Sequence, residues 1–469
     1  MSYALIAVGG LVLGCGDIRG ELHQPELGEE TARVGSTEQQ LACSVTTAGE
    51  ILIRNVQVLE DPVRTTWSGN TNLTTEHDGA WSFGRLFSDM IGPNEDYTPH
   101  RFLDEWLAEW DVNDTVNNDF VPNRAAGMAT HIRNPWPKKA DGTYDLTKAP
   151  FRLAAISHRF DLRDLSPAGP DTAEHDLRDP PGAGELRFAF NLIDPVTLAP
   201  KDFMVILEYN IPVSANPSNE DIRTWAWKWH NALCGKTVGS AAYNQALANL
   251  TVPITRKMAV GNKADGTWRR PNNSNIVQVR TNDFRVLGST QEFREFKLPI
   301  DLPGDNSLSH FYLEKTINKK WDGKNDPLAD YVNQNQADII AVDYKIPQEF
   351  GGHPDFQAGN MSLDDTTPID GVTPTARSYW NAPQIISANA RHKFSLNTCN
   401  GCHGRESGIS LTQNRPFHVF PRAAGAQAAL SDFMTGTVTV DPVDSTKSRT
   451  FNEQASRKLD FENYLIANP

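Results

Sequence analysis

Six consecutive residues near the end of the chain, Cys399, Asn400, Gly401, Cys402, His403 and Gly404, bring together side chains that can bind a cofactor covalently and ligate its metal. Two thiols one helical turn apart can each add to one vinyl group of a porphyrin, and the imidazole that follows would meet the iron as its proximal ligand. This C-x-x-C-H spacing is the attachment signature of haem c. A bare C-x-x-C can also form a redox disulfide, but that use needs a thioredoxin-like βαβ setting, which residues 380–400 do not suggest. A zinc site would need a fourth ligand, usually from a second pair at matched spacing, and Cys43 and Cys234 stand far off and apart. The motif therefore predicts one covalent haem on Cys399 and Cys402, with His403 on the iron.

A sixth ligand must come from elsewhere. His418, in the run PFHVFPR, is the first candidate and Met434, in the helix-like AALSDFMTG, the second. His392, seven residues before Cys399, is a remoter one. Each has a plainer use: a histidine can simply hydrogen-bond within a loop, and a methionine among apolar neighbours usually fills core.

The elements that would position these groups are of both kinds. Thr98 and Pro99 read as N-cap and first residue of a helix on which Phe102, Leu103, Trp106, Leu107 and Trp110 recur at steps of three and four. Ile222, Trp225, Trp229 and Leu233 repeat that stripe, with Trp227 and His230 off it. Residues 185–192 and 202–209 instead alternate, placing Leu186, Phe188 and Phe190, and likewise Phe203, Val205, Leu207 and Tyr209, on one face of a strand pair. Residues 151–158, 275–281 and 292–298 add strands, so the large N-terminal part reads as α+β. Around 351–376 the texture turns to Gly, Pro, Asp and Thr without apolar periodicity, which marks a domain boundary. The expected division is a signal at 1–15, an acidic tether at 16–44, an α+β domain at 45–376 and a small, mainly α haem module at 377–469.

That last segment resembles the c-type cytochromes beyond the motif itself. The helix-like APQIISANARHKFSLN leads into the cysteines with Phe394 just upstream, and Gly404 follows the histidine as in many members. By that resemblance, residues from Phe451 through Ala455 and Leu459 to Ile466 would form a C-terminal helix crossing the first. A Met-Pro strap is lacking. The chain as a whole also resembles a group of bacterial lipoproteins that carry a single CNGCHG-type motif near the C-terminus after a long α+β region, the GELRFAF and ANARHKFSLNTCNGCHG segments included. That likeness implies architecture and location and brings no activity with it.

Location has its own signals. Residues 3–14 form an apolar run ending at Cys15, and Val12, Leu13 and Gly14 before it resemble a lipobox, which would make Cys15 the lipidated start of a mature chain. The run is shorter than the roughly 20 residues a membrane span needs. Residues 16–40 have almost no large apolar side chains and read as a flexible tether. With Cys15 given to lipid and two cysteines to haem, Cys43 and Cys234 are left to close one disulfide in an oxidising compartment, or to stay as two separate thiols.

Composition fills in the class. The 469 residues are 39% hydrophobic with 11 Trp and 21 Phe, enough for a substantial core, and 44 basic against 58 acidic residues give a net charge of −14. With no basic block to track phosphates, nucleic acid is excluded as a partner. The sequence holds no GxSxG elbow, P-loop, HExxH or glycine-rich dinucleotide turn. Asp111, Asn113, Thr115, Asn117 and Asp119 alternate like an oxygen-ligand loop but lack its glycine and final glutamate, so they read as a polar turn. The expectation is an exported, lipid-anchored monohaem protein of the cell envelope that passes electrons to a redox partner. Two alternatives stay open: a haem enzyme using peroxide or oxygen if the sixth position is vacant, and a surface lipoprotein with a disulfide or metal clip at CNGCH.

Overall fold

Strand alternation builds the centre of the molecule. The computed structural model describes residues 43–468 except 71–76, 92–96, 117–118, 164–181, 214–217, 260–273, 290, 299–308, 311–320, 324, 342–359, 363–378 and 410–414. The signal with Cys15 and the tether up to residue 42 therefore lie outside the described residues, as does most of the 351–376 stretch. In chain order the strands are β1 (Leu52–Ile53), a small hairpin of β2 (Asp114–Val116) and β3 (Asp119–Val121), β4 (Phe151–Arg159), β5 (Glu185–Ile193), β6 (Pro200–Asn210), β7 (Ile276–Phe284), β8 (Gln291–Lys297), β9 (Ser309–His310), β10 (Asn360–Ser362), and a second hairpin of β11 (Thr437–Val440) and β12 (Ser448–Phe451). Eight of them form one antiparallel sheet in the order β1-β4-β5-β6-β7-β8-β10, with β9 also on β8. The fold is mixed α+β. The polar stretch after Asp111 becomes the β2–β3 hairpin, and residues 360–362, read as linker, pair with β8.

Because successive strand residues face opposite ways, the sheet has two unlike sides. Leu186, Phe188, Phe190, Phe203, Val205, Leu207 and Tyr209 are all fully buried in one apolar cluster with the helices. The helix Pro99–Ala108 starts where expected: Thr98 Oγ accepts the Arg101 N–H, Pro99 takes the first turn, and Phe102, Leu103, Trp106 and Leu107 are buried. The helix Asn219–Leu233 opens with a reciprocal capping box between Ser218 and Asp221 and buries Ile222, Trp225, Trp229 and Leu233. Its off-stripe residues are also used. His230 is buried against Glu50, and Trp227 Nε1 donates to the Asn468 carbonyl at 2.7 Å.

The terminal helix, Glu453–Ala467, differs from expectation in its partner: it docks on the N-terminal part rather than across the helix that leads into the cysteines, and Phe451, expected within it, lies in β12. Phe461 and Leu465 are fully buried, whereas Leu459 and Ile466 are 48% and 42% exposed. It packs against the tryptophan helix and the turn Phe160–Leu162: Phe461 lies 4.9 Å from the Phe160 ring, and Arg163 pairs with Asp460 at 2.5 Å. The aromatic anchors available on the N-terminal part decide this docking. The segment from Trp380 onward shares its apolar clusters with the sheet: Trp380, Phe394 and Cys399 pack with Phe293, Leu328 and Val332, and Leu396, Cys402, Phe417, Phe433 and Met434 pack with Leu52, Ala155, Ala189 and Met204. Among the described residues no helix is long and apolar enough to cross a membrane.

Candidate functional site

The cysteine turn is held from below. The helix Ala388–Leu396, N-capped by Ser387, leads into a single turn, Cys399–Cys402, capped by Thr398, whose Oγ1 accepts the Gly401 N–H at 3.1 Å and donates to the Ser395 carbonyl at 2.6 Å. Trp380 Nε1 reaches both Thr398 Oγ1 and Asn400 Oδ1. At Gly401 a Cβ would stand 1.9 Å from the Ser395 carbonyl oxygen, so the backbone crossing there requires glycine. Beneath lies a buried ionic cluster: Arg391 forks to Glu406 with two contacts of 2.7 Å and bonds Asp441 at 3.1 Å, while His392 Nδ1 also meets Glu406. Arg391 and His392 hold the Glu406 carboxyl below its ordinary value against the opposing push of burial. His392 is thus tied into this cluster at the base of the turn.

His403 is oriented by its second nitrogen. Nδ1 lies 2.9 Å from the Pro416 carbonyl, which only accepts, so Nδ1 carries the proton and Nε2 is the acceptor of the neutral ring. Burial pushes this imidazole down to about 4, with the Arg280 charge adding to the effect, so it is neutral near pH 7. The same carbonyl accepts from Asn282 Nδ2 at 3.0 Å, which links the ring to strand β7. Ligating histidines usually show this arrangement, with a carbonyl or carboxylate on the far nitrogen fixing tautomer and aim.

His418 comes in on a strap, residues 415–422, stapled to the sheet by fully buried Arg422. That side chain donates to the Leu153 carbonyl at 2.7 Å and pairs with Glu60 at 2.7 Å. His418 Nε2 lies 3.3 Å from Cys402 Sγ, its Nδ1 lies 3.1 Å from Ser431 Oγ, and its ring centre is 4.2 Å from that of His403. Burial, then the neighbouring His403, hold it well below its ordinary value. Cys402 Sγ and one nitrogen of each histidine lie within 4.8 Å of one another.

These groups open onto a cavity of about 130 Å³ between the cysteine turn, the strap and the second side of the sheet, smaller than the roughly 300–1,000 Å³ usual for cofactor pockets, so a porphyrin would enter only if the strap with His418 moved outward. Ala155, Ala189, Met204, Ile206 and Phe293 line the sheet side, and Met434 lines it along with His403 and His418. Cys399 and Cys402 are both buried and neither lines it: Cys402 packs with Phe417 and Met434, and Cys399 with Trp380 and Phe394 in a different cluster. Cys43 and Cys234 lie away from this space, paired as a disulfide with Cα atoms 6.0 Å apart.

Sequence reasoning overlooked the charges on the same side of the sheet. Arg187 stands opposite Glu208 on β5 and β6, and Arg280 opposite Glu295 on β7 and β8. They form a ladder across four strands, Arg187 to Glu208 at 3.4 Å, Glu208 to Arg280 at 3.8 Å and Arg280 to Glu295 at 3.3 Å, and both carboxylates are fully buried. The signal was available: these residues occupy the alternate positions between the apolar ones in strands otherwise rich in Phe, Val and Leu. No known family model matches the chain, and no curated protein or solved structure is detectably similar to it.

Proposed function

We propose that the protein is a monohaem c-type electron-transfer protein of the cell envelope, anchored through lipid at Cys15, in which the module 377–469 carries the haem docked on the second side of the sheet. The observation that supports this best is the aim of His403: Nδ1–H is fixed on the Pro416 carbonyl and Nε2 is left as the acceptor in a ring that lines the cavity, one residue beyond a buried Cys-x-x-Cys turn. In this reading Cys399 and Cys402 hold the porphyrin as thioethers and His403 ligates iron. His418 is the proposed sixth ligand and Met434 its substitute. The bound haem would supply a one-electron couple whose potential follows ligand identity, hydrogen bonding and burial. The chain's own residues keep both histidines neutral through burial and line the cavity with Phe293, Phe417 and Met434.

One observation favours a second reading. Cys402, His403 and His418 are close enough to clip a metal ion directly, without a porphyrin. A pyridine haemochrome spectrum on protein made with an export signal and the haem c maturation system separates the two, run beside a Cys402→Ala control. The expected result is a c-type band that survives denaturation and is lost or altered in the control. A colourless protein despite working maturation would overturn the haem reading, and one metal ion per chain in that colourless protein would establish the clip.

A further inference from the structure

We infer that Cys43, His230 and Cys234 form a redox-gated site for zinc, closed as a disulfide when oxidised and open to the metal when reduced; this site is independent of the haem reading. His230 Nε2 lies 3.8 Å from Cys43 Sγ, and both sulfurs and one imidazole nitrogen fall within 4.8 Å of one another. In tetrahedral zinc with Zn–S of about 2.3 Å and Zn–N of about 2.05 Å, the sulfur–nitrogen edge is about 3.6 Å. The imidazole therefore already stands close to ligand distance from where the metal would be.

The surroundings are those of a metal histidine. His230 Nδ1 meets Glu50 Oε2 at 2.8 Å, the other Glu50 oxygen accepts the Thr46 N–H at 3.1 Å, and His230 and Glu50 are 1% and 3% exposed. This is the carboxylate–histidine pairing that orients a zinc ligand and directs Nε2 at the ion. Cys43 and Cys234 are only half-buried, which gives reductant and metal an approach and leaves a fourth position for water. A dithiol reductant opens the site: its thiolate attacks one sulfur, its second thiol displaces the mixed disulfide, it leaves as its own disulfide, and two electrons and two protons pass to Cys43 and Cys234. Zinc then displaces the two thiol protons. Either state ties Cys43 to Cys234 at the end of the tryptophan helix, so the clasp would survive a change of redox conditions.

The test uses the full chain, reduced with a phosphine, equilibrated with Zn²⁺ and desalted, with zinc counted per chain by mass spectrometry. One zinc in the reduced protein and none in the oxidised is expected. Glu50→Gln should weaken zinc roughly 10–100-fold against a competing chelator, and His230→Gln should remove it while leaving the disulfide able to form. Zinc at 100 times its dissociation constant should raise the disulfide midpoint by about 59 mV, because it binds only the reduced form. A Cys399→Ser/Cys402→Ser variant should keep the zinc. Reduced protein with wild-type circular dichroism and no zinc would overturn the proposal, as would zinc that survives Cys43→Ser but vanishes in the Cys399/Cys402 variant. Should reduction unfold the chain, zinc must restore the fold; failure to do so also overturns it.

Discussion

The two sides of the central sheet are made by the same strands and obey opposite rules. On one side, Phe188, Phe190, Phe203, Val205 and Leu207 meet the helices in an apolar cluster. On the other, apolar Ala189, Met204 and Ile206 alternate with charged Arg187, Glu208 and Arg280; part of this face packs on Cys402, Phe417 and Met434, and part lines the cavity. Burial of aromatic and branched side chains stabilises the first side by roughly 1.5–3 kcal/mol each. The second side obtains only part of that gain, because internally paired charges take the place of apolar side chains beside the cavity. The difference separates the part of the sequence that specifies the fold from the part that specifies the site.

That division can be broken experimentally. Phe188→Ala, which leaves a hole in the apolar side, should cost about 3–5 kcal/mol in urea unfolding and leave the cofactor content of the folded fraction unchanged. A loss below 1 kcal/mol would mean that the apolar side is not the main source of stability. Glu208→Ala should cost about 1–3 kcal/mol, because it breaks the bond with Gln278 and weakens the ladder while Arg187 keeps Glu185 and Arg280 keeps Glu295, whereas replacing Arg187 and Glu208 together with Met and Leu should be milder. If the single and double variants unfold alike, the ladder is not coupled.

Acidity sharpens the comparison at the end of β7. Burial raises Asp283 to about 7 from its ordinary 3.8, against hydrogen bonds from the Val286 and Leu287 N–H groups. The folded chain then holds a proton that the unfolded chain gives up above about pH 4, so this contribution to stability is full below that pH and is lost as pH climbs to about 7. The slope should reach at most about 1.4 kcal/mol per pH unit. Asp283→Asn should flatten it, and an unchanged slope would place the titration elsewhere. The smallest effect is expected on the terminal helix: Leu459→Ser, on its exposed face, should change stability by less than about 0.5 kcal/mol, while Phe461→Ala costs several. Reversed magnitudes would mean that the helix docks by the other face.

Much of the fold was legible because its signals are local. The five long strands fall where alternation put them, and the Thr98 and Pro99 start of a helix and the tryptophan stripe follow from spacing and caps. What was not legible depends on contacts distant in sequence. Asn282 and His403 meet on one carbonyl across 120 residues of chain, and Arg422 reaches Leu153 from the far end of the strap. The terminal helix shows why its partner was misjudged: apolar spacing announces a helix, and only the distant contacts of Tyr464 with Phe160 and Arg163 decide what it docks on. At the site, Cys399, Cys402 and His403 were readable from spacing, whereas alternation placed Arg187, Glu208 and Arg280 on the second face of the strands without showing that this face is buried too.

The docking of the terminal helix on the N-terminal part also makes the fold hard to divide. Phe461 packs on Phe160, Asp460 meets Arg163 from 297 positions along the chain, and Gln454 Nε2 reaches the Met434 carbonyl from the same helix. A single cut in a connecting loop would therefore leave two pieces that still hold each other through this helix and the shared sheet, and would separate them only when the helix itself is undone.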